Sequence, residues 1–206
     1  MKKITSKLTL GVVLLLATTI ANAHNTYLQI KGSGKINDKV EIQLLKAEYG
    51  KEAPEKGTKL DNLKAIKIFL IDASGSKTEI VMTQTETHWQ GFFIPKTTGN
   101  YTVIGVNDQN EVRDMSKKCL GNGRSILYLK ALYTIKSATN QTVTLPLDLT
   151  AQKQNASYLL TAFKDKKQQN DLNLTVINPD GWSVNAFKIS KTTPKKLYLE
   201  VIFRNK

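Results

Sequence analysis

Thr97 to Val106, TTGNYTVIGV, is the stretch on which the reading of this chain turns. Thr98-Gly99-Asn100 is turn chemistry, and the residues after it are the aromatic and β-branched types that suit a pleated, half-buried surface. The same grammar extends on both sides. Upstream, His88 to Ile94 (HWQGFFI) leads through Pro95 into this stretch. Before that, Ala65 to Ile71 (AIKIFLI), Asp72-Ala-Ser-Gly75 and Thr78 to Met82 together form a hairpin signature. Thr26 to Lys31 (TYLQIK) and Lys39 to Leu45 (KVEIQLL) place apolar residues at alternate positions around Gly32, Gly34 and Asn37-Asp38. Downstream, the polar run Asp108 to Asn122 precedes strand candidates at Ser125 to Lys136, Thr142 to Leu149, Ser157 to Phe163, Leu172 to Ile177, Ser183 to Ile189 and Leu197 to Phe203. In the last of these, Leu197, Leu199, Val201 and Phe203 share one face. No segment sustains a 3.6-residue apolar period, so the chain reads as all-β.

Gly99, two residues ahead of a tyrosine that opens a β-run, matches the corner of immunoglobulin-like sandwiches, where the hydroxyl pins a loop back onto the sheet. An ordinary strand aromatic is the alternative reading of Tyr101. Short strands spaced by roughly 8–12 residues imply a sandwich or two in tandem. The expected plan is a signal peptide at 1–23, an N-terminal immunoglobulin-like β-sandwich at 24–108, a connector at 109–122 and a C-terminal sandwich at 123–206. Each half is small, so an interface between them is expected to bury further apolar surface.

The first residues carry a secretory signature. Lys2, Lys3 and Lys7 precede an apolar run of 13 residues, Leu8 to Ile20, and Ala21-Asn22-Ala23 fits the small-x-small cleavage pattern. A permanent span needs about 20 apolar residues, so the mature chain is expected to have no membrane span and to be periplasmic or secreted. Cleavage after Ala23 leaves His24 as the first residue. Cys119 is the single cysteine, which rules out an internal disulfide.

Charge excludes some partners. The 206 residues carry 30 basic and 17 acidic side chains. Removing the three signal lysines leaves 27 against 17, a formal +10. Only Arg113, Arg124 and Arg204 are arginines, whereas phosphate-gripping surfaces favour the planar guanidinium. A solvated basic surface is expected rather than a nucleic-acid site. The sequence shows no Gly-rich phosphate loop, no Gly-x-Ser-x-Gly and no His-Glu-x-x-His, so no hydrolytic set can be named. The four Asn-x-Ser/Thr sequences, at Asn100, Asn140, Asn155 and Asn173, are taken as chance.

What chemistry the sequence offers centres on its two histidines, His24 and His88. An N-terminal histidine presents its α-amine and its imidazole together, a pair that closes a chelate ring on Cu, Ni or Co. His88 adds a third nitrogen. Glu86, two residues earlier, would share its face if the strand reached back that far, as an oxygen ligand or as a partner orienting the imidazole. The expected metal ligands are therefore His24, His88 and Glu86. The competing reading makes His88-Trp89 a strand-edge pair with Glu86 solvated.

The start HNTYLQIK, the KVEIQLL strand, the KIFLIDASGSKTEI hairpin, the TTGNYTV corner and the RSILYLKALYTI segment resemble an exported bacterial family associated with nickel or cobalt uptake. That resemblance implies a β-sandwich, a mature N-terminal histidine and a metal-related periplasmic binding role, carried here by His24; with the donor chemistry above, the expectation is a non-catalytic protein that binds Ni, Co or Cu and presents it to a membrane transporter. The low histidine content departs from a high-capacity metal buffer. Two other classes stay open: a glycan-binding or adhesion sandwich with Trp89 and Trp182 as platforms, and a copper-dependent polysaccharide oxygenase, the one enzymatic reading.

Overall fold

The computed structural model describes residues 25–47, 54–119, 121–136, 141–154, 157–169, 173–177, 183–185 and 198–202. The expected signal peptide, His24 and Trp182 lie outside these residues. The first eight pairing strands are β1 (Asn25–Lys31), β2 (Val40–Ala47), β3 (Lys67–Ile71), β4 (Lys77–Ile80), β5 (Thr83–Gln84), β6 (Trp89–Phe93), β7 (Gly99–Asn107) and β8 (Val112–Asp114). They are followed by β9 (Asn122–Arg124), β10 (Leu127–Ile135), β11 (Leu147–Gln154), β12 (Ser157–Lys164), β13 (Lys167–Gln169), β14 (Asn173–Ile177), β15 (Ser183–Asn185) and β16 (Tyr198–Ile202). The all-β expectation holds: the strands form antiparallel sheets, and among the described residues 3₁₀ segments occur at Gly57–Ala65 and Ser116–Lys118. No helix among the described residues is long and apolar enough to cross a membrane.

Two four-stranded sheets, ordered β1-β2-β6-β5 and β10-β7-β3-β4, share one apolar core. Val40, Ile42 and Leu44 on β2 point inward and are at most 1% exposed, while Glu41 and Gln43 alternate to the other face. Leu28 on β1, Ile68 on β3, Phe93 on β6 and Val103 on β7 complete that core. The 3₁₀ turn at Gly57–Ala65 adds Leu60 and Leu63, whose three-residue spacing stacks them on one side of such a helix. The Trp89 indole donates to the Leu60 carbonyl at 3.0 Å and packs against the core. It is therefore a core staple, not the exposed glycan platform of the adhesion reading.

Tyr101 is the corner its sequence context suggested. It is 3% exposed, and its hydroxyl accepts from the Lys96 N–H at 3.2 Å and the Thr97 N–H at 3.0 Å while donating to Thr97 O at 2.9 Å. Phe93 stacks beside it, and Tyr133 meets Phe93 edge-on. The Tyr133 hydroxyl then accepts from the Gly34 N–H at 2.7 Å, tying β10 to the β1–β2 turn. Gly32 makes room for that approach, since a Cβ there would sit 2.5 Å from the hydroxyl.

Ser125–Lys136 was expected to open the C-terminal half, yet β10 pairs with β7 from Leu127↔Asn107 to Ile135↔Gly99 and completes the N-terminal sheet. The expected connector holds a small ribbon of its own, β8 with β9. Beyond β10, the chain forms two three-stranded sheets, β11-β12-β13 and β15-β14-β16. The strand expected at Thr142–Leu149 starts only at Leu147. Pro146 lacks an N–H, and the N–H groups of Thr144 and Leu145 go to the Asp148 carboxylate instead of a ladder. Asp148 also accepts from Lys130 on β10 at 2.7 Å, and this buried pair ties the first residues of the second half to the outer side of the β10-β7-β3-β4 sheet.

Candidate functional site

His88 lies on the rung just beyond the Leu44↔Trp89 pair, at the turn joining β5 to β6. The Thr85 N–H donates to His88 O at 2.8 Å, which makes Glu86 and Thr87 the two turn residues. Glu86 is therefore not in extended chain. The period-two condition that would have put it on the face of His88 is not met, and its side chain is exposed at the turn tip. Its carbonyl accepts from the Gly57 N–H at 2.9 Å and anchors the turn to the 3₁₀ segment.

Instead the imidazole leans over β2. His88 Nε2 lies 3.2 Å from Glu41 Oε1 and 3.2 Å from Gln43 Nε2, and Gln43 Nε2 lies 2.8 Å from the same Glu41 oxygen. On the other side of the ring, Nδ1 lies 2.9 Å from Thr87 Oγ1 and 3.3 Å from Thr85 Oγ1. The site is half-closed: the His88 side chain is 16% exposed and that of Glu41 27%. Gln43's hydrogen bond holds the Glu41 carboxyl below its ordinary range, against burial that raises it, with His88 adding a further lowering.

Sequence reasoning picked the histidine and missed its partners. Alternation in KVEIQLL does put Glu41 and Gln43 on the polar side of β2. What it does not reveal is that β6 lies next to β2, across more than forty residues of chain. Among the described residues no three His, Cys, Asp or Glu side chains gather to hold a metal. Cys119 is exposed in a left-handed conformation (φ 58°) after the short 3₁₀ turn.

The head of β1 lies at the same end of this sheet. Register pairs Asn25 with Ala47 and Tyr27 with Leu45, the rung beside His88. With strands about 4.8 Å apart and a rise of about 3.3 Å per residue, the Asn25 and His88 Cα atoms are about 12 Å apart. The imidazole itself reaches along β2 toward Glu41, away from that strand end.

Lysines on the outer faces have local tasks. Lys39 lies 3.7 Å from the ring centroid of Phe92, and Lys77 lies 4.1 Å from that of Phe69. Part of the basic excess thus covers aromatic surface. No family model, curated protein or solved structure matches the chain, so the family resemblance rests on the quoted segments alone.

Proposed function

We propose that this is an exported protein whose processing after Ala23 turns His24 into a chelator of Ni, Co or Cu, and that it presents the ion to a membrane transporter without catalysing a reaction. Its fold fits an immunoglobulin-like sandwich. The orders β1-β2-β6-β5 and β10-β7-β3-β4 correspond to strands A-B-E-D and G-F-C-C′ of that topology, and Tyr101 supplies its corner. On this reading the two smaller sheets belong to a second, C-terminal sandwich.

The observation that carries the functional reading is where β1 begins. Among the described residues ladder pairing reaches back to Asn25, which pairs with Ala47, so cleavage after Ala23 would put the new amine one residue ahead of a paired strand. An N-terminal α-amine and imidazole form a bidentate pair that leaves the ion's other positions to solvent or another molecule's donors, as handing over an ion requires.

Nickel(II) and copper(II) titration of the processed protein, beside a variant carrying one extra residue ahead of His24, tests this. Placing the amine in a peptide bond is expected to weaken binding on the order of 100-fold, about 2.7 kcal/mol. Equal affinities would rule out the N-terminal chelate.

A further inference from the structure

We propose that the free edge of β4, Lys77-Thr78-Glu79-Ile80, is a self-complementary interface. A second copy of this chain pairs there antiparallel, joining two β10-β7-β3-β4 sheets into one. The interface goes beyond the N-terminal chelate and does not depend on His24.

The turn that opens β4 decides which of its backbone groups face outward. The Gly75 N–H donates to Asp72 O and the Asp72 N–H to Ser76 O, both at 3.0 Å, so the hairpin closes on a hydrogen-bonded pair. Bonded and non-bonded pairs alternate from there along an antiparallel ladder. Ile71↔Lys77 and Phe69↔Glu79 are then the non-bonded pairs, and Leu70↔Thr78 and Ile68↔Ile80 the bonded ones. The N–H and C=O of Lys77 and Glu79 therefore point away from β3. β4 ends its sheet, and among the described residues no strand lies beyond it. Lys77, Thr78 and Glu79 are all exposed, and Val81, just past the strand, is 85% exposed.

Charge fixes the partner and the register. Outward groups recur every second residue, so two β4 strands can set only Lys77 and Glu79 against Lys77 and Glu79. Centred on Thr78, the pairing places Lys77 of each copy opposite Glu79 of the other, and each such pair exchanges two N–H···O bonds. Opposite charges directly across strands stabilise a sheet, as does the Thr78–Thr78 pair at the two-fold axis. Sliding one strand by two residues either way puts Lys77 opposite Lys77 or Glu79 opposite Glu79, which repel.

A lysine on an edge strand ordinarily keeps other strands away. Glu79, two residues further on, turns that guard into half of a charge pair, and the antiparallel self-pairing is what satisfies both. Lys77 Nζ lies over the Phe69 ring, on the face where the other copy's Glu79 arrives. The same register brings Val81 to the second copy's Asp72–Ser76 turn, where Gly75 leaves open space. Such an interface is isologous and closes at two copies. With one short strand from each copy the contact is small, so the dimer is reversible.

Sedimentation velocity of the processed protein, at concentrations up to the millimolar range, tests this. A chelator is present throughout, so that metal bridging through His24 is excluded. A monomer–dimer equilibrium is expected. Lys77→Glu and Glu79→Lys are each expected to weaken it at least tenfold, since one leaves only acids and the other only bases along the edge. Mixed in equal amounts, the two variants are expected to regain the parent's association, because each edge then opposes the other's charge. Lys77→Glu combined with Glu79→Lys in one chain is expected to associate as the parent does, with circular dichroism reporting an unchanged fold in all three. A parent that stays monomeric throughout the range overturns the interface. So do folded single variants that associate as the parent does, or a mixture no more associated than its components.

Discussion

Replacing Asp148 by alanine is expected to cost about 3–5 kcal/mol, enough to unfold a domain of ordinary marginal stability. The Asp148 side chain is fully buried and the paired Lys130 side chain is 12% exposed. One carboxylate oxygen accepts from Lys130 Nζ and the Leu149 N–H, both at 2.7 Å, and the other from the N–H groups of Thr144 and Leu145, at 2.6 and 3.1 Å. Truncation would leave a buried ammonium and three backbone donors without that acceptor. Lys130 retains only the Thr142 and Leu149 carbonyls, at 3.2 and 3.4 Å. Removing both charges together, as Lys130→Met with Asp148→Leu, is expected to cost less than Asp148→Ala alone, because no ion is stranded. Urea melts of the three proteins decide this, and a double variant less stable than Asp148→Ala would contradict it.

The second large effect is at the corner. Tyr101→Phe preserves the ring stacked on Phe93 and deletes one oxygen that serves the N–H groups of Lys96 and Thr97 and the carbonyl of Thr97. Each polar group left unsatisfied costs about 1–3 kcal/mol when buried, and these are partly buried, so a total of about 2–3 kcal/mol is expected. Tyr133→Phe removes a hydroxyl too, but its one partner shown here, the Gly34 N–H, is exposed and can turn to water. Its expected cost is about 0.5–1 kcal/mol. Thermal melts that rank Tyr133→Phe as the more damaging change would refute the pinning role of Tyr101.

Local chemistry made the strands legible. The alternation along Val40, Ile42 and Leu44, the turn at Asp72 to Gly75 and the Gly99-Asn100-Tyr101 corner each express a preference set by neighbouring residues. The pairing partners were not legible, because a strand's own residues do not name the strand beside it. Thus β10, apolar on its inner positions like many another strand, does not itself reveal that it lies beside β7. The same limit applies to the site. His88 stood out as one of two histidines, but Glu41 reaches it only because β2 and β6 are neighbours. Glu86, adjacent in sequence, was carried away from the imidazole by a two-residue turn that Thr85 closes with its own hydroxyl. Pro146 and Asp148 were visible as residues, yet their effect on Thr144 and Leu145 needed the buried lysine from a distant strand to be seen.

Processing remains the hinge of the functional account, and the first residue of the exported protein tests it most directly. Expressed with its leader in a bacterium and recovered outside the cytoplasm, the protein is expected to begin at His24 when its N-terminus is sequenced, with a mass lower by that of residues 1–23. Any other first residue, or a retained leader, would contradict the chelate.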